Sequence, residues 1–245
     1  MSELLFNFHN TKPSRNGKGP RSIILDMDEC VIHSYENPQF LDALEIYINP
    51  STYRLLHPLG SQSLSYSMLL DINGNQSRIW GMYRPHLFEF LAFAGEYFDN
   101  IIVWSAGIVP YVEEIVKQMF LESGLRPPKL VWARNKCAEY KGLFHKPISE
   151  IEAELATRPY QTFTLDPKTT LIIDDKQHTF MSNVSNGVLI PVYSPGKENP
   201  KRIPTLNNLL DRSDDCLLKF MKWLEREDVR NCEDVRTLDK THIFD

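Results

Sequence analysis

Short apolar runs followed directly by polar residues recur along the chain and predict buried strands. An unbroken apolar run is typical of a parallel strand, because both faces of a parallel sheet are covered. Three of these runs precede residues capable of chemistry: residues 23–25 precede Asp26 and Asp28, residues 101–104 precede Ser105, and residues 171–173 precede Asp174 and Asp175. Ligands of open α/β sheets collect at the carboxyl ends of the strands. The pattern therefore predicts a metal or phosphoryl-transfer site where these side chains meet.

Helical patterns between these runs predict the fold class. Pro85 fits the first turn of one helix, Pro110 the start of a second that stops at Gly124, and Pro147 the start of a third. Further strands are predicted at residues 129–133 and 187–192. Alternating strands and helices favour a parallel sheet with right-handed crossovers. We expect an α/β domain with a doubly wound, mainly parallel sheet.

The segment from Tyr35 to Met82 predicts a β insert after the first strand. Two stretches of alternating apolar and polar residues flank a turn signal at residues 71–75, which contains Asn73-Gly74. Such a pattern is typical of a β-hairpin or small meander. The insert would either shape a substrate-binding cap or stabilise the edge of the sheet, and we favour the cap.

The two ends of the chain differ from its centre in composition. Residues 10–21 are basic and rich in Gly and Pro, which predicts a flexible arm over residues 1–20. An apolar stripe at residues 216–224, with a cap at Ser213, predicts a helix that packs on the sheet or, less simply, binds a partner. The expected organisation is an arm, one catalytic domain at 21–226, and a loose charged tail at 227–245.

Composition excludes several classes of protein. Hydrophobic residues make up 42% of the 245-residue chain, enough for a sizeable core, but no run approaches the ~20 apolar residues of a membrane span. The first residues lack the basic start and apolar stretch of a signal peptide. A net charge of −5 disfavours non-specific nucleic-acid binding, and four cysteines without metal-site spacing favour free thiols. We expect an intracellular protein, nuclear or cytoplasmic, without membrane or direct nucleic-acid partners.

The motifs, in this order, resemble the haloacid dehalogenase superfamily. Within it, the segment Asp26–Ser34 (DMDECVIHS) resembles the DxDETLVHS motif of RNA polymerase C-terminal-domain phosphatases and NLI-interacting-factor-like proteins. The Arg84-Pro85-His86 segment resembles that branch's entry to its first helix, and a Ser, a Lys and an Asp-Asp pair complete the set. The resemblance covers roughly residues 20–195. It implies the haloacid dehalogenase-like fold with a compact β insert beside the active site.

The resemblance also implies roles for four residues. Asp26 would attack phosphorus and form an aspartyl-phosphate, as carboxylate nucleophiles do. Asp28 would protonate the leaving alcohol and later deprotonate water. Ser105 and Lys146 would hold the transferring oxygens, because phosphoryl transfer depends mainly on positioning and charge stabilisation.

Three further residues are open to more than one interpretation. Lys141 is a rival to Lys146, which we prefer because the family's lysine also opens a helix. Arg134 would support the phosphate or Lys146, or form only a surface salt bridge. Cys30 stands where the family usually has Thr or Val. Cysteine is a small hydrophobe with a weak donor, so we expect a working but slower enzyme.

The acids predict a Mg²⁺ site. Two carboxylates ~4 Å apart repel by about 4 kcal/mol at an effective dielectric of ~20, so a convergent set needs a cation. An all-oxygen set suits Mg²⁺, and the absence of His or Cys at these positions disfavours zinc. The resemblance implies that Asp175 anchors the ion with Asp174 close by, together with Asp26 and the main-chain carbonyl of Asp28.

We therefore expect a Mg²⁺-dependent phosphomonoester hydrolase. The resemblance favours a protein serine/threonine phosphatase whose partner is a phosphoprotein, and analogy alone suggests the polymerase C-terminal tail. Two alternatives stay open at this point. One is a phosphatase of small metabolites with the same chemistry, and the other is a non-enzymatic binding module with the same fold.

Overall fold

Five short strands form a parallel sheet at the centre of the computed structural model, which describes residues 18–36, 38–59, 63–72, 74–121, 123–158, 163–196 and 204–245. The strands are β1 (Ser22–Leu25), β2 (Ile32–Glu36), β3 (Ser65–Ile72), β4 (Asn75–Tyr83), β5 (Asn100–Trp104), β6 (Leu130–Trp132), β7 (Ala138–Tyr140), β8 (Leu143–His145), β9 (Thr170–Asp174) and β10 (Gly187–Leu189). The helices are α1 (Phe40–Ala43), α2 (Pro50–Leu56), α3 (Leu87–Tyr97), α4 (Val109–Val116), α5 (Ile148–Thr157), α6 (Leu206–Leu210), α7 (Cys216–Glu225) and α8 (Glu227–Arg230).

The central sheet has the order β10-β9-β1-β5-β6, and every pair in it is parallel. Strand β1 therefore lies between β5 and β9. Leu25, its last residue, pairs with Val103 on one side and Ile173 on the other. The three strands end at nearly the same level, so the residues that follow them emerge together. The predicted mainly parallel α/β fold is confirmed.

Both faces of this sheet are covered, as a doubly wound sheet requires. Alternate side chains of a strand point to opposite faces. Ile23 and Leu25 belong to the larger apolar cluster, which includes buried residues of α3, α4 and α7. Ile24 belongs to a second cluster, which includes Ile148 and Ile151 of α5. No helix in the described part of the chain is both long and apolar enough to cross a bilayer.

The predicted β insert is a three-stranded antiparallel sheet of order β2-β4-β3. In the predicted turn the Gly74 amide donates to Asp71 Oδ1 at 2.8 Å and Gly74 has a φ of +81°, whereas Asn73 lies outside the described residues. The insert also contains α1 and α2, which the sequence interpretation missed. Phe40 and Leu56 from this region pack with Trp80 of β4, so these short helices are held by tertiary contacts.

Two predicted helix starts are wrong. Pro85 precedes α3 instead of lying in its first turn, because His86 occupies the N-cap position with a φ of 65°. Ser213 does not cap α7, whose N-cap residue is Asp215. The Asp214 carboxylate instead accepts a hydrogen bond from the Cys216 amide at 3.2 Å. A carboxylate near the first turn of a helix is favourable because it interacts with the helix dipole.

The end of the chain is packed, contrary to the expected loose tail. Val229, Val235 and Ile243 are buried in the larger apolar cluster. Part of the predicted arm is held against this segment, because the Gly19 amide donates to the Cys232 carbonyl at 2.8 Å. Residues 1–17 of the arm lie outside the described residues. The sequence pattern did not indicate this packing, because charged residues separate its widely spaced apolar residues. The domain limits 21–226 stay a prediction.

A buried ion pair ties α7 to the first motif. The guanidinium of Arg84 is buried and donates to both carboxylate oxygens of Asp214, at 2.9 and 2.8 Å. The same guanidinium donates to the main-chain carbonyl of Cys30 at 2.7 Å. A buried guanidinium is tolerated only when it is paired and hydrogen-bonded.

Replacing the partner of Arg84 should destabilise the whole domain. We expect Asp214→Ala to lower the free energy of unfolding by about 3–5 kcal/mol, because it leaves a buried charge uncompensated. Denaturant unfolding followed by tryptophan fluorescence measures this change. The control is Asp228→Ala, which removes an exposed ion pair with Arg226 and should alter stability little. Similar small effects of both substitutions would contradict the expectation.

Candidate active site

Three neighbouring strands deliver polar residues to one edge of the central sheet. Asp26 follows β1, Ser105 follows β5, and Asp174 is the last residue of β9. The strand pairing extends past the apolar runs, since the Asp26 amide donates to the Ile173 carbonyl at 3.0 Å and the Ser105 amide to the Trp132 carbonyl at 2.9 Å. The backbone at these positions is thus fixed by the sheet itself.

Lys146 connects two of the acids. Its Nζ lies 2.6 Å from Asp26 Oδ1 and 2.6 Å from Asp174 Oδ2, and the residue is only 1% exposed. The loop before α5 is anchored, because the Lys146 amide donates to the Thr179 carbonyl at 3.0 Å. Lys141, the rival, is exposed in the turn between β7 and β8. The structure therefore brings the preferred lysine to the acids.

A third acid joins this pair. Ligand atoms of Asp26, Asp174 and Asp175 all lie within 4.8 Å of one another. Oδ1 of Asp175 is buried and has no hydrogen-bond partner among the described residues. Burial raises the pKa of Asp175 to about 6. A buried carboxylate oxygen without a donor is costly unless a cation contacts it.

The charges of the cluster favour a divalent cation. Burial raises the pKa of Asp26 well above its usual value, Asp174 raises it further, and Lys146 opposes the rise. Burial tends to lower the pKa of Lys146, but the two carboxylates raise it overall, so the ammonium stays charged. One ammonium does not balance three carboxylates. The all-oxygen donor set and the unpartnered oxygen of Asp175 fit Mg²⁺.

The Asp28 carboxylate has different partners. Its Oδ1 accepts a short hydrogen bond from the Tyr111 hydroxyl, and Ser34 Oγ lies 3.5 Å from the same oxygen. Its Oδ2 lies 3.5 Å from Ser105 Oγ, which itself accepts from the Gly107 amide at 2.9 Å. Burial raises the pKa of Asp28, and the Tyr111 hydrogen bond lowers it. The proposed metal contact of Asp28, through its main chain, stays a prediction.

Arg134 lies beside the loop after β5 and is exposed. Its Nε donates to the Ala106 carbonyl at 2.6 Å, and its amide donates to the Gly107 carbonyl at 2.9 Å. Its guanidinium also lies 5.6 Å from the centre of the Phe144 ring. These contacts brace the loop that carries Ser105, whereas contact with phosphate stays a prediction.

Sequence reasoning missed the hydroxyl groups around Asp28. Ser34 lies within the first motif, whereas Tyr66 and Tyr111 lie outside every motif. Ser34 Oγ lies 2.6 Å from the Tyr66 hydroxyl and also contacts the Tyr111 hydroxyl. These residues lie on β3, β2 and α4, so their proximity depends on tertiary packing.

The fold and the acid–lysine site define an α/β protein with the architecture of the haloacid dehalogenase superfamily. A family model of NLI interacting factor-like phosphatases matches residues 21–236. The chain therefore belongs to the NLI interacting factor-like phosphatase family, as the first motif suggested.

Relatives and solved structures are distant in sequence. An uncharacterized protein of Schizosaccharomyces pombe is 23% identical over 81% of this chain and 53% of its own length. A Homo sapiens CTD small phosphatase-like protein is 21% identical over 86% of this chain and 58% of its own length. The chain thus spans little more than half the length of these relatives. A structure of Fcp1, described as an essential RNA polymerase II CTD phosphatase, has a TM-score of 0.62 at 17% identity, covering 89% of this chain and 68% of that chain.

Removing the buried ammonium should destabilise the site. We expect Lys146→Met to lower the free energy of unfolding by about 3 kcal/mol in the presence of EDTA, because two buried carboxylates lose their counter-charge. The double variant Lys146→Met/Asp26→Asn should regain part of this loss, since one of those charges is gone. Denaturant unfolding measures both effects.

The matched control for this prediction is Lys141→Met, which alters an exposed lysine in a turn. It should leave stability nearly unchanged. A Lys146→Met protein as stable as Lys141→Met would show that the ammonium does not compensate the acids.

Proposed function

We propose that this protein is a Mg²⁺-dependent phosphatase that forms an aspartyl-phosphate on Asp26 and acts on phosphoserine or phosphothreonine in proteins. The observation that carries the proposal is the buried contact of Lys146 Nζ with Asp26 and Asp174, 2.6 Å from each. The contact lies at the carboxyl edge of the sheet, in a chain that belongs to a phosphatase family.

The first step transfers the phosphoryl group to the protein. An Asp26 carboxylate oxygen forms a bond to phosphorus while the bond from phosphorus to the ester oxygen breaks. The Asp28 carboxylic acid gives its proton to the departing alkoxide. Raising the pKa of a buried carboxyl group suits it to this acid role, and burial acts on Asp28 in that direction.

The second step reverses the role of Asp28. Its carboxylate takes a proton from water as the water oxygen attacks phosphorus, which releases inorganic phosphate and restores Asp26. Lys146 and the Ser105 hydroxyl offer donors to the phosphoryl oxygens, where positioned charge contributes most to phosphoryl transfer.

Asp26, Asp174 and Asp175 would hold Mg²⁺. When bound, the ion supplies positive charge that neutralises the carboxylates and the phosphoryl oxygens. Lys176 helps to fix this arrangement, because its amide donates to Asp174 Oδ1 at 2.9 Å. That hydrogen bond and the Lys146 contact hold the two oxygens of Asp174 in place.

A phosphoprotein substrate is supported by the relatives. The Homo sapiens relative is described as a CTD small phosphatase-like protein, and Fcp1 as an RNA polymerase II CTD phosphatase. We propose a phosphorylated, flexible protein segment as the substrate class, with the polymerase tail as one member of it.

Catalysis should depend on Asp26. We expect the wild-type protein to release phosphate from a phosphoserine peptide with Mg²⁺ but not with EDTA. Asp26→Asn should lower the rate by about 10³-fold or more, the scale seen when a nucleophile is removed. Phosphate release measured by malachite green gives both rates.

The control is Asp99→Asn, which alters an acid at the opposite end of β5 that pairs with Arg21. It should retain wild-type activity. Undiminished release from Asp26→Asn would refute the mechanism, and much faster turnover of sugar or nucleotide phosphates than of peptides would refute the substrate class.

Loss of the unpartnered carboxylate should weaken the response to Mg²⁺. We expect Asp175→Asn to raise the Mg²⁺ concentration for half-maximal activity by more than about tenfold, since even outer partners of a metal site change affinity on that scale. Activity should return in part at high Mg²⁺. A titration curve that matches the wild type would exclude Asp175 from the metal site.

A further inference from the structure

A chain of three hydroxyl groups ends on the Asp28 carboxylate. The Tyr66 hydroxyl lies 2.6 Å from Ser34 Oγ, Ser34 Oγ contacts the Tyr111 hydroxyl, and Tyr111 donates to Asp28 Oδ1. Tyr66 and Tyr111 are both buried. The chain runs from β3 through β2 to α4, so it connects the insert to a helix of the main domain.

The number of protons fixes the direction of these hydrogen bonds. Each hydroxyl group has one proton to donate, and an ionised carboxylate can only accept. Tyr111 gives its proton to Asp28, so it can only accept from Ser34. The Ser34 proton is directed to Tyr111 or to the same carboxylate oxygen, 3.5 Å away. Tyr66 is therefore the donor to Ser34.

Two glycines make room for the tyrosine rings. Ser34, Gly81 and Tyr66 lie side by side across the insert sheet. A Cβ atom on Gly81 would lie 2.3 Å from the Tyr66 hydroxyl oxygen, so the ring reaches Ser34 across the space above Gly81. A Cβ atom on Gly107 would lie 2.8 Å from the Tyr111 ring. The two glycines thus leave space for the Tyr66 hydroxyl beside Ser34 and for the Tyr111 ring beside the loop after β5.

We propose that Tyr111, supported by Ser34 and Tyr66 of the insert, is a positioning residue that directs the acid proton of Asp28 to its Oδ2 atom. This inference rests on the acid–base role given to Asp28 in the proposed function. When Asp28 is protonated and its Oδ1 still accepts from Tyr111, the acid proton lies on Oδ2. That oxygen lies 3.5 Å from Ser105 Oγ, a hydroxyl that the proposed function assigns to the phosphoryl oxygens.

The insert thereby has a part in catalysis. Without Tyr111 the carboxyl group can rotate, and its proton can occupy either oxygen. A misplaced proton reduces protonation of the leaving oxygen but leaves nucleophilic attack by Asp26 intact. The loss should consequently depend on how much the leaving group needs a proton.

A series of substituted phenyl phosphates tests this directly. We expect Tyr111→Phe to lower kcat/KM for phenyl phosphate about tenfold more than for 4-nitrophenyl phosphate, a fraction of the full effect of a general acid. Nitrophenolate is a good leaving group without protonation, whereas departure of phenolate depends more strongly on a proton from the general acid. Ser34→Ala should change the series in the same direction by a smaller factor, and it gives a second measurement if Tyr111→Phe folds poorly.

The matched control is Tyr97→Phe. The Tyr97 hydroxyl is buried and donates to the Leu224 carbonyl at 2.7 Å, on the face between α3 and α7. This variant loses one buried tyrosine hydroxyl and should lower the melting temperature by an amount similar to Tyr111→Phe. It should leave the leaving-group dependence of kcat/KM as in the wild type.

Asp28→Asn separates failure of this inference from failure of the proposed function. Asp28→Asn should itself steepen the leaving-group dependence, and adding Tyr111→Phe to it should steepen it no further. Equal losses across the series in Tyr111→Phe and Ser34→Ala, with a steep dependence in Asp28→Asn, would overturn the positioning role alone. An unchanged dependence in Asp28→Asn would overturn the acid role and this inference together.

Discussion

The buried ammonium of Lys146 between Asp26 and Asp174 is the interaction on which the site depends. It joins β1, β9 and the loop before α5 through two contacts of 2.6 Å. A buried carboxylate alone would be strongly disfavoured, and a single ammonium makes two of them tolerable. The negative charge of the third carboxylate, that of Asp175, is not compensated by the ammonium. The same charge excess that is unfavourable in the protein alone makes the edge of the sheet suitable for a divalent cation.

Two acids only two positions apart have different surroundings, which supports the different tasks proposed for them. The Asp26 carboxylate contacts the Lys146 ammonium, and ligand atoms of Asp174 and Asp175 lie within 4.8 Å, as the proposed nucleophile beside a cation requires. The Asp28 carboxylate contacts the Tyr111 hydroxyl, with the Ser105 hydroxyl near its other oxygen. Pairs of titratable groups in contrasting environments are typical of acid–base chemistry. This contrast supports the roles proposed for Asp26 and Asp28, which the DxD spacing alone does not distinguish.

The insert is connected to the main domain through polar contacts as well as apolar packing. Its Ser34 and Tyr66 lie next to Tyr111 of α4, and Trp80 packs with residues of α1, α2 and α6. Its proximity to Asp28 gives the favoured cap interpretation a physical basis in the fold. The cap role of the insert stays a prediction.

The sequence by itself determined the central strands, the polar residues at their ends and the helix after Lys146, whereas the choice of that lysine rested on the family resemblance. Those features are local, because apolar runs and helix starts are encoded by neighbouring residues. Tertiary structure alone decided the helices of the insert, the packing of Val235 in the charged C-terminal segment, and the contact of Tyr111 with Asp28. These three features depend on contacts between residues far apart in the chain. No regular spacing of apolar or hydroxyl residues along the sequence indicates such contacts. Side chains from distant elements come into contact only when the sheet and its helices have packed.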